Sequence, residues 1–118
     1  MGLALMAAFL IKHFVADFVL QTQYMLNKGR LAGWAAPLAA HCGVHAAFTF
    51  LILLVVSPSL WWLALADGIA HSVIDRVKAH PSLGGRWRFP TYFFWVALGA
   101  DQLAHGLCYV GICAVAVA

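Results

Sequence analysis

Four apolar segments, each about twenty residues long and separated by short polar loops, limit what this chain can fold into. They lie at about residues 2–23, 35–56, 60–77 and 91–117, and a helix of about that length crosses a bilayer. Only 9% of the 118 residues are charged and 64% are hydrophobic, whereas soluble domains carry roughly 25% charged residues. The sequence therefore predicts an all-α protein, a polytopic membrane four-helix bundle that forms a single transmembrane domain over residues 1–118.

Positive charge is concentrated in two of the loops. Six of the seven Lys and Arg residues lie in or beside the first and third loops, namely Lys28, Arg30, Arg76, Lys78, Arg86 and Arg88. Basic loops face the cytoplasm, so we expect a multi-pass protein of the bacterial cytoplasmic (inner) membrane with both termini outside. Contact between these loops and anionic headgroups accounts for the net charge of +3. The lipid bilayer is therefore the expected partner, and nucleic acid is not.

Polar residues recur at four-residue spacing inside every apolar segment. Each aspartate lies four positions from a histidine, and the second segment carries a histidine pair with the same spacing. The residues are His13, Asp17, His41, His45, Asp67, His71, Asp75, Asp101 and His105. Side chains four residues apart share one face of a helix, and the alternating helix directions give the four faces overlapping depths in the half nearer the basic loops. The pattern predicts that they converge on one interior site.

The charge of the buried carboxylates favours a bound cation. An ionised side chain at the bilayer centre costs about 2.5–3.5 kcal/mol, and Lys12 is the only obvious basic countercharge within the membrane. One or two divalent ions would neutralise the carboxylates, and mixed imidazole and carboxylate donors suit Zn²⁺, Mn²⁺ or Fe²⁺. All nine residues are therefore candidate metal ligands. Because nine exceed the needs of one four-coordinate ion, either two ions bind or some of the residues support the ligands or act as a general base.

Several alternatives remain open at the level of sequence. Protonated aspartates in a hydrogen-bonded or proton-conducting network would also explain the pattern. Gln21 and Thr49 extend two of the polar faces, either to support ligands or as ordinary interhelical contacts. Lys12 either pairs with a carboxylate or indicates that the first span is tilted. His80, in the third loop beside Pro81, is expected to be solvated.

The same residues carry a resemblance to a known family. The motifs H-F-V-A-D-F-V-L-Q from His13 to Gln21, H-C-G-V-H, D-G-I-A-H-S-V-I-D-R-V-K and D-Q-L-A-H follow one another over nearly the whole chain. In this the chain resembles the bacterial family called domain of unknown function 3307, whose members are small multi-spanning membrane proteins. The resemblance implies the topology and the importance of the polar faces, and it implies no reaction. A weaker likeness to inner-membrane metal-dependent hydrolases concerns the type of ligand alone.

Three functional hypotheses follow from these residues. In the first, a metal centre of one or two ions activates water to hydrolyse a lipid-linked ester or phosphate that approaches from the cytoplasmic leaflet. In the second, the chain transports a metal ion or protons, with a His-x-x-x-Asp site that resembles zinc transporters of the cation-diffusion-facilitator type. Such a transporter would need a homo-oligomer. In the third, the chain is an accessory subunit of a larger membrane complex, and its His/Asp cluster is structural.

Overall fold

The structure, a computed structural model, describes residues Met1–Ala118 as five α-helices and no strands. Helix α1 covers Gly2–Phe14 and continues into a π-helical turn, Val15–Val19, and α2 is one short turn, Gln23–Leu26. Three further long helices follow, α3 at Ala35–Val56, α4 at Leu63–Ala79 and α5 at Tyr92–Val117. The protein is therefore an all-α helical bundle, as the sequence predicts.

The four long helices close into a ring around one interior. Helix α1 packs against α3 and α5, and α4 packs against the same two helices. Gly2 at the start of α1 lies beside Val117 at the end of α5, whereas Gly29 in the first loop lies beside Ala79 at the end of α4. Both termini are therefore at one end of the bundle, the terminal end, and the first and third loops meet at the other, the basic-loop end.

Three of the helical segments are long and apolar enough to cross a membrane. They are Gly2–Val19, Ala35–Val56 and Tyr92–Val117. The fourth predicted span corresponds to α4, which has 17 residues and is not one of these three. At about 1.5 Å per residue α4 is about 26 Å long, slightly shorter than the hydrocarbon core of about 30 Å. That α4 crosses the membrane stays a prediction.

The buried residues include an unusually large share of polar side chains, while many large apolar side chains lie on the surface. Of the 22 buried residues among 118, ten are polar or charged. Large apolar side chains such as Ile11, Phe18, Leu51 and Leu103 are more than half exposed. Extensive exposed apolar surface is typical of a membrane-facing or partner-facing protein. A surface of this kind fits a bundle surrounded by lipid.

The apolar residues that are buried close the terminal end. They form one cluster, Leu5, Phe9, Leu53, Leu63, Tyr109, Ile112 and Cys113. On every helix these residues lie nearer the terminal end than the polar residues of the same helix; for example, Phe9 precedes His13 on α1 and Leu53 follows Thr49 on α3. The interior is therefore apolar at the terminal end and polar toward the basic-loop end.

Candidate metal centre

The structure brings eight of the nine predicted ligands together at the centre of the ring. Their donor atoms fall into three groups, and within each group the atoms lie within 4.8 Å of one another. The first group is His13, Asp17, His45 and His71, the second is His41, His71 and Asp75, and the third is Asp75, Asp101 and His105. The groups share His71 and Asp75, so the eight residues form one continuous His/Asp cluster. The predicted convergence of the polar faces is confirmed for these eight residues.

Asp17 reaches the cluster from a local break in helix geometry. The sequence predicts one continuous helix to about residue 23, but α1 ends at Phe14 and the next five residues form a π-helical turn, in which the Leu20 amide donates to the Val15 carbonyl oxygen at 2.9 Å. Such turns are rare and occur frequently at functional sites. Here the turn carries Asp17, whose carboxylate faces histidines of α3 and α4.

The carboxylate of Asp17 is surrounded by imidazoles. Its Oδ1 lies 2.9 Å from His45 Nε2 and 3.2 Å from His41 Nε2, and its Oδ2 lies 3.1 Å from His13 Nε2. No Lys or Arg side chain pairs with it. The negative charge of Asp17 is therefore faced by histidines alone.

Asp75 is the second central carboxylate and joins the cluster to the first loop. Its Oδ2 accepts from Lys28 Nζ at 2.5 Å and lies 3.0 Å from His41 Nε2, and its Oδ1 lies 3.1 Å from His105 Nε2. The loop that carries Lys28 is held in place by α4, because Arg76 Nη1 donates to the carbonyl oxygens of Lys28 and Arg30. One end of the cluster is thus built by the packing of the first loop on α4.

His71 is the residue whose surroundings most clearly call for a ligand. The side chain is completely buried, and neither of its ring nitrogens has a hydrogen-bond partner. Its ring lies close to two other imidazoles, tilted against His45 with ring centroids 3.6 Å apart and stacked on His105 at 3.8 Å. A buried polar group without a partner costs roughly 1–3 kcal/mol. A metal ion held by His71 and its neighbours would remove that cost.

Asp101 lies at the edge of the cluster. Its Oδ2 accepts from Gln102 Nε2 at 3.0 Å, while its Oδ1 is buried, has no hydrogen-bond partner and lies 3.6 Å from His105 Nε2. One carboxylate oxygen is thus free to bind a cation or a proton. The third group of donors, which contains Asp101, has one histidine and two carboxylates.

Asp67 is the one predicted ligand that lies apart from the three groups. Its Oδ2 accepts from Lys12 Nζ at 2.7 Å and from the Thr49 hydroxyl at 2.6 Å, and both side chains of the ion pair are almost fully buried. Of the two explanations offered for Lys12, the structure therefore shows the pairing with a carboxylate. It also corrects the sequence-based placement of Asp67, because four-residue spacing gives the face of a helix but not which neighbour that face meets. Thr49 accordingly makes an interhelical contact with Asp67.

Two residues that contact His13 of the cluster were not identified from the sequence. The Tyr109 hydroxyl lies 2.9 Å from His13 Nδ1, and Gln102 Oε1 lies 3.1 Å from His13 Nε2. Tyr109 extends the four-residue series of Asp101 and His105 on α5, so the same spacing contains a signal for it. A hydrogen bond to the second ring nitrogen is how proteins orient a metal-ligating histidine. Gln21, by contrast, donates to the backbone oxygen of Asp17 and braces the π-helical turn.

The His/Asp cluster opens toward the basic-loop end. A cavity of about 330 Å³ lies there. The charged side chains that line it are three carboxylates of the cluster and two lysines, namely Asp17, Asp75, Asp101, Lys28 and Lys78. Gly84 and Gly85 of the third loop also line this cavity. Since the apolar cluster fills the terminal end, this cavity gives access from one side of the bundle.

His80, the one histidine expected to be solvated, lies away from the interior site. His80 is partly exposed, lies outside the His/Asp cluster, and accepts from the Ser82 amide at 3.1 Å. It therefore provides a histidine that is not part of the cluster, for use as a control below.

Comparisons with known proteins support the assignment made on the motifs. No curated protein and no solved structure matches the chain. The family described as "Protein of unknown function (DUF3307)" matches residues 5–118. That match covers nearly the whole bundle and includes all eight residues of the His/Asp cluster. The chain therefore belongs to the DUF3307 family of proteins of unknown function.

Proposed function

We propose that this protein is a membrane-embedded, divalent-metal-dependent hydrolase that acts on a lipid-linked ester or phosphate. The observation that carries the proposal is the environment of His71, a fully buried imidazole with two unpartnered nitrogens among seven other His and Asp donors. Metal ligation satisfies buried imidazoles and carboxylates together. A network of hydrogen bonds alone leaves His71 without a partner.

The balance of charge supports one or two bound ions. Of the four aspartates, Asp67 pairs with Lys12 and Asp75 pairs with Lys28. Asp17 and Asp101 have no basic partner apart from histidine, and they belong to different groups of donors. An ion in each of these two groups would neutralise both carboxylates. A site with one carboxylate and three imidazoles, as in the group of Asp17, suits Zn²⁺, Mn²⁺ or Fe²⁺.

One-sided access favours hydrolysis as the use of this centre. A divalent cation would supply a Lewis acid that polarises the substrate and lowers the barrier to attack by water. In the reaction, a water oxygen bonds to the phosphorus or carbonyl carbon, and the bond to the lipid oxygen breaks. The proton that the water loses passes to the departing lipid oxygen, so that the lipid leaves as an alcohol.

The location follows from the same features. We place the protein in the bacterial inner membrane with α4 as a fourth, short span and with the basic-loop end in the cytoplasm, because the basic loops lie together at that end. The cavity then faces the cytoplasmic leaflet. Transport would require a second route from the cluster to the terminal end. Phe9, Leu53 and the other residues of the apolar cluster fill that end of the bundle.

The experiment uses the full chain, reconstituted in liposomes and loaded in turn with Zn²⁺, Mn²⁺ or Fe²⁺. Hydrolysis is measured against lipid carboxylic esters and lipid phosphates, and metal flux is measured across the same membranes. We expect metal-dependent turnover of one lipid class, abolished in His71→Ala and retained in His80→Ala. Metal flux without turnover of any lipid would instead establish transport, and bound metal with neither activity would indicate a structural cluster.

A further inference from the structure

A second cavity lies on the outside of the bundle, between α4 and α5. This groove, of about 330 Å³, is lined mainly by small or aliphatic side chains, including Val73, Val77, Ala100 and Ala104. Val73 and Val77 are more than half exposed. In a bilayer the groove faces the hydrocarbon region, where an alkyl chain is its natural occupant.

The groove and the polar cavity adjoin each other. Four residues line both, namely Lys78, Gly84, Ala97 and Asp101. Asp101 belongs to the His/Asp cluster. A molecule with its chain in the groove would therefore place its polar end in the cavity, next to the candidate metal centre.

The junction between the two spaces carries a positive charge that is not paired with a carboxylate. Lys28, the other lysine of the cavity, is already paired with Asp75, whereas Lys78 lies at the junction and pairs with no carboxylate. An ammonium group beside a metal centre recognises an anionic group, above all a phosphate. Lys78 therefore indicates the chemistry of the polar end of the ligand.

The wall of the junction is shaped by two glycines. A Cβ built on Gly84 would lie 2.5 Å from the Lys78 carbonyl oxygen, and one on Gly85 would lie 2.5 Å from the Ala79 carbonyl oxygen. Only glycine allows the third loop to approach the end of α4 this closely. The close approach holds the third loop against the end of α4 beside Lys78.

We propose that the α4–α5 groove and the adjoining cavity bind a lipid phosphate, with the alkyl chain in the groove and the phosphate between Lys78 and the metal centre. This inference rests on the proposed function, because without a bound cation the three carboxylates of the cavity would repel a phosphate. It narrows the substrate from lipid-linked esters and phosphates to lipid phosphates, and it assigns a specificity role to Lys78.

The test measures binding by calorimetry, with the metal-loaded full chain in phosphatidylcholine nanodiscs and with dodecyl phosphate, inorganic phosphate and dodecanol as probes. Lys78→Ala removes the charge, and Arg88→Ala is its matched control, since Arg88 is an exposed basic residue of the third loop that does not line either cavity. Ala104→Leu fills the groove, and Ala47→Leu adds the same volume at an exposed position on α3 outside it. Metal content is measured on every sample.

We expect metal-dependent binding of dodecyl phosphate that Lys78→Ala weakens about tenfold, as for loss of a hydrogen bond to a charged group, and that Arg88→Ala leaves within about twofold. Ala104→Leu should weaken binding of dodecyl phosphate and spare inorganic phosphate, and Ala47→Leu should affect neither. Binding of dodecanol as tight as that of dodecyl phosphate would overturn the role of Lys78. Inorganic phosphate binding as tightly as dodecyl phosphate would overturn the role of the groove.

The same samples separate the two proposals. If metal loads in full but dodecyl phosphate does not bind, the lipid phosphate site is refuted and the metal centre stands. If no metal loads, the proposed function fails and this inference fails with it.

Discussion

Breaking the ion pair between Lys12 and Asp67 should destabilise the folded protein. The two groups are 2.7 Å apart, and their side chains are 2% and 1% exposed. Removing one partner of a buried pair costs about 3–5 kcal/mol, because it leaves an uncompensated charge in a medium that solvates it poorly. The Thr49 hydroxyl still donates to Asp67 at 2.6 Å after Lys12 is replaced, so we expect Lys12→Met to cost about 3 kcal/mol, the lower end of that range.

The assay is thermal unfolding of the metal-loaded protein in detergent, followed by circular dichroism. For a chain of this size a loss of 3 kcal/mol lowers Tm by about 10–15 °C. Asp67→Asn should be destabilising as well, because it leaves the Lys12 ammonium without its carboxylate. The double variant Lys12→Met/Asp67→Asn should recover about 2 kcal/mol or more relative to the sum of the single variants, which is the coupling that a double-mutant cycle measures. Lys78→Met, which removes a lysine with no carboxylate partner, should change stability by about 0.5 kcal/mol or less.

Two results would refute this reasoning. Additive effects of the single variants would show that Lys12 and Asp67 do not interact. If Asp67→Asn lost as much bound metal as a variant of the His/Asp cluster, Asp67 would be a metal ligand, although it belongs to none of the three groups of donors.

Three further outcomes follow from the structure. Zn²⁺ or Mn²⁺ at about 100 times its Kd should raise the free energy of unfolding by about 2.7 kcal/mol, and a chelator should reverse the gain; an unchanged Tm would mean that the ion does not bind the folded state selectively. Acidification from pH 7.5 to 5.5 should weaken metal binding, because imidazole and carboxylate ligands must lose their protons to coordinate; equal Kd values in titrations at the two pH values would contradict this. Gly84→Ala should destabilise the protein by about 1–3 kcal/mol through the clash with the Lys78 carbonyl oxygen, whereas Gly99→Ala, with no atom within 4 Å of the added Cβ, should be neutral or stabilising in the same unfolding assay.

The fold class and the convergence of the polar helix faces could be predicted from the sequence, because both depend on periodicity. Four-residue spacing assigned His13, His71, Asp75 and His105 to faces of separate helices, and the loops placed those faces at overlapping depths. Since a membrane bundle has one interior and the polar faces must avoid lipid, convergence of the residues followed. The fold class depended on the same argument and is confirmed.

The parts that sequence could not predict are decided between helices or by local geometry. Asp67 and Asp75 have the same spacing to His71, yet one meets Lys12 and the other meets Lys28 and His41. That difference comes from which side chain the neighbouring helix presents. The π-helical turn at Val15–Val19 has the composition of an ordinary apolar helix, so nothing in its residue types separates it from α1. The cavity and the groove depend on the packing of the third loop on α4, which hydrophobic periodicity does not describe.

The most direct test of the metal centre is to extract the protein gently from the membrane, purify it, and measure its metal content by inductively coupled plasma mass spectrometry. We expect one or two divalent ions per chain in the wild type and in His80→Ala, and a loss of at least one ion in His71→Ala with the helical circular dichroism signal retained. Wild-type protein that stays free of Zn, Mn and Fe even after incubation with these ions, or a His71→Ala variant that binds as much metal as His80→Ala, would contradict it.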